Sequence, residues 1–309
     1  PAALTVPEAI IREEGPLEPH AYYRNKSLNS RVVGFDPEPE EHLRRVEAAI
    51  GTIETSKLEK GVLARAVEIE FPEAIDPRLV AARLIDLSAN RDGFIADLSP
   101  AGRPGAMLVG SSPEVLVKRQ GSTVSAFPLA GSSPRRAAAA EDHIAGQDLL
   151  HSAKDLHEHS FVVEHLRRVL SPLCERLDIP DTPQLISTNE MWHLGTPIFG
   201  TLKDKDLTAL ELALAAHPTP AICGTPAEAA QALIETAETD RGFYAGAVGW
   251  CDSSGDGEYM VAIRCAEVAG DGLSARAWAG GGIVGDSDAQ AELEETTAKL
   301  RTILKALSL

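Results

Sequence analysis

Two short acidic runs, each set on a helical period, are the residues of this chain best placed to do chemistry: Asp155 with Glu158, and Glu292 with Glu295. Side chains three apart are neighbours on a helix surface, and two carboxylates so placed repel each other unless a cation relieves them. At 100° per residue, Glu292, Glu295 and Lys299 fall within an arc of ~60°. They lie beside an apolar stripe of Leu293, Leu300, Ile303 and Leu307, while Glu294 points the opposite way into solvent. Asp155 and Glu158 likewise border Leu156, Val163, Leu166 and Leu170. Two helices that bring such pairs to the edge of a core suit one hard divalent cation. Mg²⁺ takes oxygen ligands, keeps waters and works beside anionic groups. Two solvated helix faces are the competing reading. The "HEH" triplet does not point to zinc, because His157 and His159 project from different sides of a helix.

Other candidates are single residues. In "EYMVAIRCAEV", Arg264 alternates with Met260, Ala262, Ala266 and Val268, so the pattern predicts a desolvated guanidinium. Such a group needs an anionic partner, either a protein carboxylate or one on a ligand. Gly280–Gly282, just before the last helix, is either a hinge or a strip of bare backbone whose N–H groups can face an anion. His217 in "HPTPA" is either a ligand contact or a histidine satisfied within a turn, and Trp192, Trp250 and Trp278 read as core.

These residues need a scaffold, and 309 residues at 44% hydrophobic content can bury a full core. A net charge of −17 argues against nucleic acid or an anionic membrane as partner, since both attract basic surfaces. No run reaches the ~20 apolar residues that span a bilayer. "PAALTVPEAIIREEGP" lacks the basic start and apolar centre of a signal peptide. Four cysteines without paired spacing read as reduced, mostly core thiols, so a cytoplasmic location is expected, and a monomer. Residues 1–40 carry no periodic signal. A helix is expected over 38–59, with Leu43, Val46 and Ile50 on one side, and a long one over roughly 140–178. Shorter helices are expected near 206–216, 226–237 and 287–307. Strands are expected in "GVLARAVEIEF", "GFIADLS", "AMLVGSSPEVLVKRQG", "TVSAFPLAG", "QLIST" and "WHLGTPIFGTL", then a meander over 243–284. Short Gly/Asp turns and helices in blocks imply an α+β chain with antiparallel sheets, not a Rossmann fold.

Several longer motifs, taken in order, resemble the chorismate-utilising enzymes: "GSSPEVL", "FPLAGSSPRR", "SAKDLHEHSFVVEHL", "HPTPAICGTPAEAA", "DRGFYAGAVGWCDSSGDGEYMVAIRCAEV" and "WAGGGIVGDSDAQAELEETTAKL". The resemblance spans about residues 55–309, leaves the first ~50 without a motif, and is nearest the isochorismate-forming type. It implies a single catalytic domain of two stacked, mainly antiparallel sheets with helices outside. It also implies an Mg²⁺-dependent reaction in which water adds at C2 of chorismate while the C4 hydroxyl leaves. Carried across by motif, Lys60 of "LEKGVLAR" resembles the general base and Glu114 of "GSSPE" the general acid. Glu158 and Glu295 resemble metal ligands, with Asp155 and Glu292 beside them. Arg264 and Lys299 resemble contacts for the substrate carboxylates. Gly131, Ser132 and Gly280–Gly282 (Gly280, Gly281, Gly282) resemble backbone that approaches the ligand, with His217 and Ala221 nearby. Gly61 departs from the family, which carries a β-branched residue there. Salicylate-forming and amine-transferring relatives tend to have a threonine near Ala221, so the small apolar residue here favours plain isomerisation. A catalytically silent paralogue would have lost base, acid or metal carboxylates, and this chain has them all.

Overall fold

Strand β2 (Lys60–Glu70) shows how the chain is layered. Its odd-numbered side chains Leu63, Val67 and Ile69 face helices, while Ala64 and Ala66 face a second sheet. In the computed structural model, residues 1–12, 27–88 and 92–309 are described. β2 is the second strand of a seven-stranded sheet of order β1 (Arg31–Asp36), β2, β16 (Ser274–Ile283), β15 (Cys265–Val268), β4 (Met107–Gly110), β3 (Phe94–Asp97), with β12 (Gly224–Thr225) also on β2. A six-stranded sheet runs β13 (Ala247–Cys251), β14 (Gly257–Val261), β5 (Val115–Gln120), β6 (Thr123–Phe127), β11 (Ile198–Leu202), β8 (Cys174–Asp178). A third, three-stranded sheet runs β7 (Leu129–Pro134), β10 (Met191–Gly195), β9 (Gln184–Ser187). All strand pairings among the described residues, β2 with β16 among them, are antiparallel. The α+β class with antiparallel sheets is therefore the one adopted, with the small third sheet added to the two large ones.

Seven α-helices occur among the described residues: α1 (Pro39–Thr55), α2 (Pro77–Leu87), α3 (Ala139–His151), α4 (Ala153–Leu170), α5 (Ala209–Ala216), α6 (Ala227–Ala237) and α7 (Ala289–Ala306). α2 and α7 cover the outer face of the seven-stranded sheet, where Leu79, Leu84, Leu300 and Ile303 pack on Val67, Val109 and Ala277. The two large sheets close on each other through Leu108, Leu116, Val124, Val261 and Trp278, with Leu166 and Leu170 of α4 completing that core. Full burial of each such Leu or Ile contributes about 1.5–3 kcal/mol.

Several expectations need correction. The helix over 140–178 is two helices and a strand. Ser152 leaves helical geometry, and its side chain accepts the Asp155 N–H to start α4, as an N-cap does. On α4 the buried residues are Glu158, His159, Val162, Leu166 and Leu170, while Leu156 and Val163 are only half-buried. On α1, Val46 is buried but Leu43 and Ile50 are half-buried, with His42 and Ala49 inside instead. Residues 1–40 do contain a strand, β1, at a sheet edge. The rest of that reading falls partly on residues 13–26, outside the described residues. Trp250 is exposed under the Arg12 guanidinium, and Trp192 is half-buried, so only Trp278 is core. The cysteines are all free, with Cys251 half-buried and the other three buried.

Candidate active site

β16 is paired with β2 along its whole length, but with β15 only over Ala275–Ala277. Past that point, among the described residues, one edge of Gly280–Gly282 has no strand beside it. α7 uses this opening. It is anchored by Asp288, whose side chain caps its first turn, and by buried Arg65, which donates to Thr296 and Thr297. Lys299 then donates to the Gly280 carbonyl at 3.0 Å, where a strand N–H would otherwise sit. Glycine is required here by space. A Cβ on Gly282 would lie 2.1 Å from Glu158 Oε1, and one on Gly281 would lie 2.9 Å from Glu292 Oε2. The glycine run is thus the surface on which both acidic pairs converge.

Glu158, from α4, lines the resulting cavity together with Glu295 and Lys299 from α7. Lys60, the first residue of β2, is fully buried and makes an ion pair with Glu158 at 3.1 Å. Burial works to raise the Glu158 carboxyl, but the charges of Lys60, Lys154 and Lys299 outweigh it and hold it low. Lys299 pairs with Glu295 one turn along α7. Glu292 is only 2% exposed, whereas its neighbour Leu293 is half-buried, so the acidic edge of α7 lies deeper than the apolar stripe implied. Its Oε1 accepts from Ser287 and from Lys154 at 3.0 Å, while its buried Oε2 has no hydrogen-bond partner among the described residues. Burial and the Glu295 charge raise the Glu292 carboxyl. Burial likewise raises Asp155, which lies 3.8 Å from the Lys154 ammonium. Glu294 is exposed as expected.

Across the cavity, Glu114 sits in the loop between β4 and β5. Its backbone N–H is held by the Ser112 hydroxyl at 3.2 Å, and its carbonyl by the Val261 N–H. Burial pushes its carboxyl up to about 7, against a Leu129 N–H and the charges of Lys60, Lys299 and Arg264, which oppose the rise. Such a group holds a proton near neutral pH and can donate it. Arg264 is buried as expected, but not by strand alternation. "EYMVAIRCAEV" is two strands in different sheets, β14 and β15, and Arg264 stands at the crossover in a left-handed conformation, φ 52°. Its guanidinium donates to His193 Nε2 at 3.2 Å, and burial lowers it to about 10. Burial and the charges of Arg264 and Lys299 keep His193 neutral, so it can accept that bond.

Gly131, Ser132, Ala221, Gly280 and Gly282 also line the cavity, which opens to solvent. Gly131 takes φ 77° against Asp155, whose Cβ would be 3.0 Å from a Cβ there. Lys60, Asp155, Glu292 and Gly281 stand just behind the lining, touching residues within it. His217 is not among the lining residues; its Nε2 lies 3.1 Å from the carbonyl of Ala245, which is. Within "HEH", His159 is a structural group bonded to the Ala130 carbonyl and Thr196, and His157 packs against Phe161 at the surface. At Gly61, where the resemblance leads one to expect a β-branched residue, a Cβ would lie 2.7 Å from the Leu233 side chain of α6. Sequence reading missed His193, Tyr244 and Trp278 as lining residues and Lys154 as a partner of the acids. The only local hint was that Lys154 directly precedes Asp155.

This arrangement of sheets is one that a known structure shares. Residues 10–308 match the family described as chorismate binding enzyme, and the chain belongs to that family. Isochorismate synthase DhbC of Bacillus subtilis is 43% identical over 99% of this chain and 77% of its own length. Isochorismate synthase EntC of Escherichia coli K12 is 37% identical over 100% of this chain and 78% of its own. A Bacillus anthracis structure, provisionally assigned as a 2,3-dihydroxybenzoate-specific isochorismate synthase DhbC, superposes with TM-score 0.85 at 40% identity, covering 93% of this chain and 76% of that one. No helix among the described residues is long and apolar enough to cross a membrane.

Proposed function

We propose that the protein is an isochorismate synthase, converting chorismate to isochorismate with Lys60 as general base, Glu114 as general acid and Mg²⁺ as cofactor. The observation that carries the reading is one cavity lined both by a buried carboxyl whose burial raises it to about 7 and by two lysine-paired carboxylates. The isochorismate synthases among its relatives match nearly the whole chain.

The residues fit a hard divalent ion. Glu292 and Glu295 approach the place of a Gly281 side chain and Glu158 that of Gly282, without closing into a three-ligand cluster among the described residues, and the buried Glu292 Oε2 has no hydrogen-bond partner among them; these are oxygen donors of the kind Mg²⁺ prefers. Bound there, Mg²⁺ would neutralise the carboxylates and hold one carboxylate of the substrate. Arg264, fixed by His193, and Lys299, fixed by Glu295 and the Gly280 carbonyl, supply the cations for the other carboxylate. That answers the charge problem of a strongly acidic chain binding a dianion.

Lys60, once it has released to solvent the proton that makes its ion pair with Glu158, takes a proton from water as the water oxygen bonds to C2. The ring double bonds shift, the C4–O bond breaks, and Glu114 protonates the departing hydroxyl, which leaves as water. Lys60 then carries one proton more and Glu114 one fewer, and transfer through solvent restores both. Ala221, Ile222, Ala245 and Ile263 make the adjoining wall apolar, which suits a reaction that ends with isomerisation. Incubating the protein with chorismate and Mg²⁺ and separating the products tests this directly. Isochorismate alone is expected, and release of pyruvate would overturn the assignment.

A further inference from the structure

Three lysines serve four carboxylates at the acidic cluster, and they do not serve them alike. Lys60 is committed to Glu158 and Lys299 to Glu295, and both are held from inside the fold. Lys154 is different. It reaches in from the first turn of α4, is partly exposed, and spans two acids, at 3.0 Å from Glu292 and 3.8 Å from Asp155. Its ammonium therefore bridges one carboxylate from each acidic pair. It engages Glu292 through Oε1 and leaves the buried Oε2 without a partner.

We infer that Lys154 is a competing counter-cation: it neutralises the acidic cluster when no divalent ion is bound and weakens the cluster's hold on that ion. The inference rests on the Mg²⁺ reading above and adds a residue that does not itself line the substrate cavity. The physical reason is that like charges a few ångströms apart repel, and removing the lysine's charge removes that repulsion. Discounting its partial exposure to solvent, the effect on ion affinity is about tenfold. The same removal leaves Glu292 and Asp155 without their cation, so the ion-free protein loses stability. Affinity and ion-free stability thus move in opposite directions, which a merely structural lysine would not produce.

The test is isothermal titration of the full chain with MgCl₂, and of Mn²⁺ followed by its electron paramagnetic resonance signal. Wild type would be compared with Lys154→Met, Lys154→Gln and Lys154→Arg, each checked for folding by circular dichroism. Melting temperatures would be taken in EDTA and in saturating Mg²⁺. We expect both neutral variants to bind the ions about tenfold more tightly and to melt below wild type in EDTA, the gap closing in Mg²⁺. Lys154→Arg should stay close to wild type in both. Unchanged or weaker ion affinity in whichever neutral variant folds overturns the inference while leaving the Mg²⁺ reading intact. Absence of ion binding by wild type removes both.

Discussion

Replacing Glu114 by glutamine keeps the side chain's size and polarity but takes away its titration. In the folded protein the carboxyl is raised from 4.5 to about 7, chiefly by burial. An unfolded chain would release that proton near the lower value. Between the two, the folded state binds more protons than the unfolded state, so stability falls as pH rises and levels off above about 7. The full difference corresponds to about 3 kcal/mol. Glu114→Gln does not share this loss. Relative to wild type it should gain stability steadily from pH 5 to 8, reaching a few kcal/mol, while near pH 4 the two should agree. Urea unfolding of both proteins in EDTA across that range provides the measurement, and other raised carboxyls such as Glu292 cancel in the comparison. In the same series, wild-type kcat/KM should decline as pH rises through about 7, and the variant's turnover should be lower by about 10²–10⁴. Stability differences that do not change with pH would mean that Glu114 is already ionised near neutrality, and its role as an acid would fall.

Lys60→Ala should reduce turnover by about 10²–10⁴ while Mg²⁺-dependent chorismate binding, read by calorimetry, stays within a few fold; near-wild-type turnover would remove Lys60 from the mechanism. Gly282→Ala puts a methyl 2.1 Å from Glu158 Oε1 and should cost both Mg²⁺ affinity and turnover at least about tenfold, a lower bound set by displacing one charged ligand. Gly285→Ala, whose Cβ would meet only Ile53 at 3.9 Å, is the matched control and should change neither.

The sequence carried the class of fold and the convergence of the two acidic helices, because both depend on local period and on motifs that stay contiguous. It failed where one run of residues serves two elements. "EYMVAIRCAEV" has unbroken β character, so nothing in it marks the left-handed step at Arg264 that moves the chain from one sheet to the other. The stretch through Ser152 has helical propensity on both sides, and only its side-chain cap reveals the break. Apolar stripes also misjudged depth. A wheel ranks Leu293 as inward and Glu292 as marginal, yet Lys154 and Ser287 let the acid go deeper than the leucine. His193 was invisible because, within "MWHLG", a histidine that satisfies an arginine from another sheet looks like any strand residue.

The shortness of β15 sets a geometric limit on this scaffold. If β15 began two residues earlier, at Ile263, the register that pairs Ala266 with Ala277 would set Ile263 opposite Gly280, and the new rungs would compete with Lys299 for that carbonyl. The added strand would also shut the slot through which α7 passes its charged side chains. Substitutions that let residues 262–264 extend as strand should therefore be disabling, whereas changes in hairpin length around residues 269–273, at the other end of the ladder, should be tolerated.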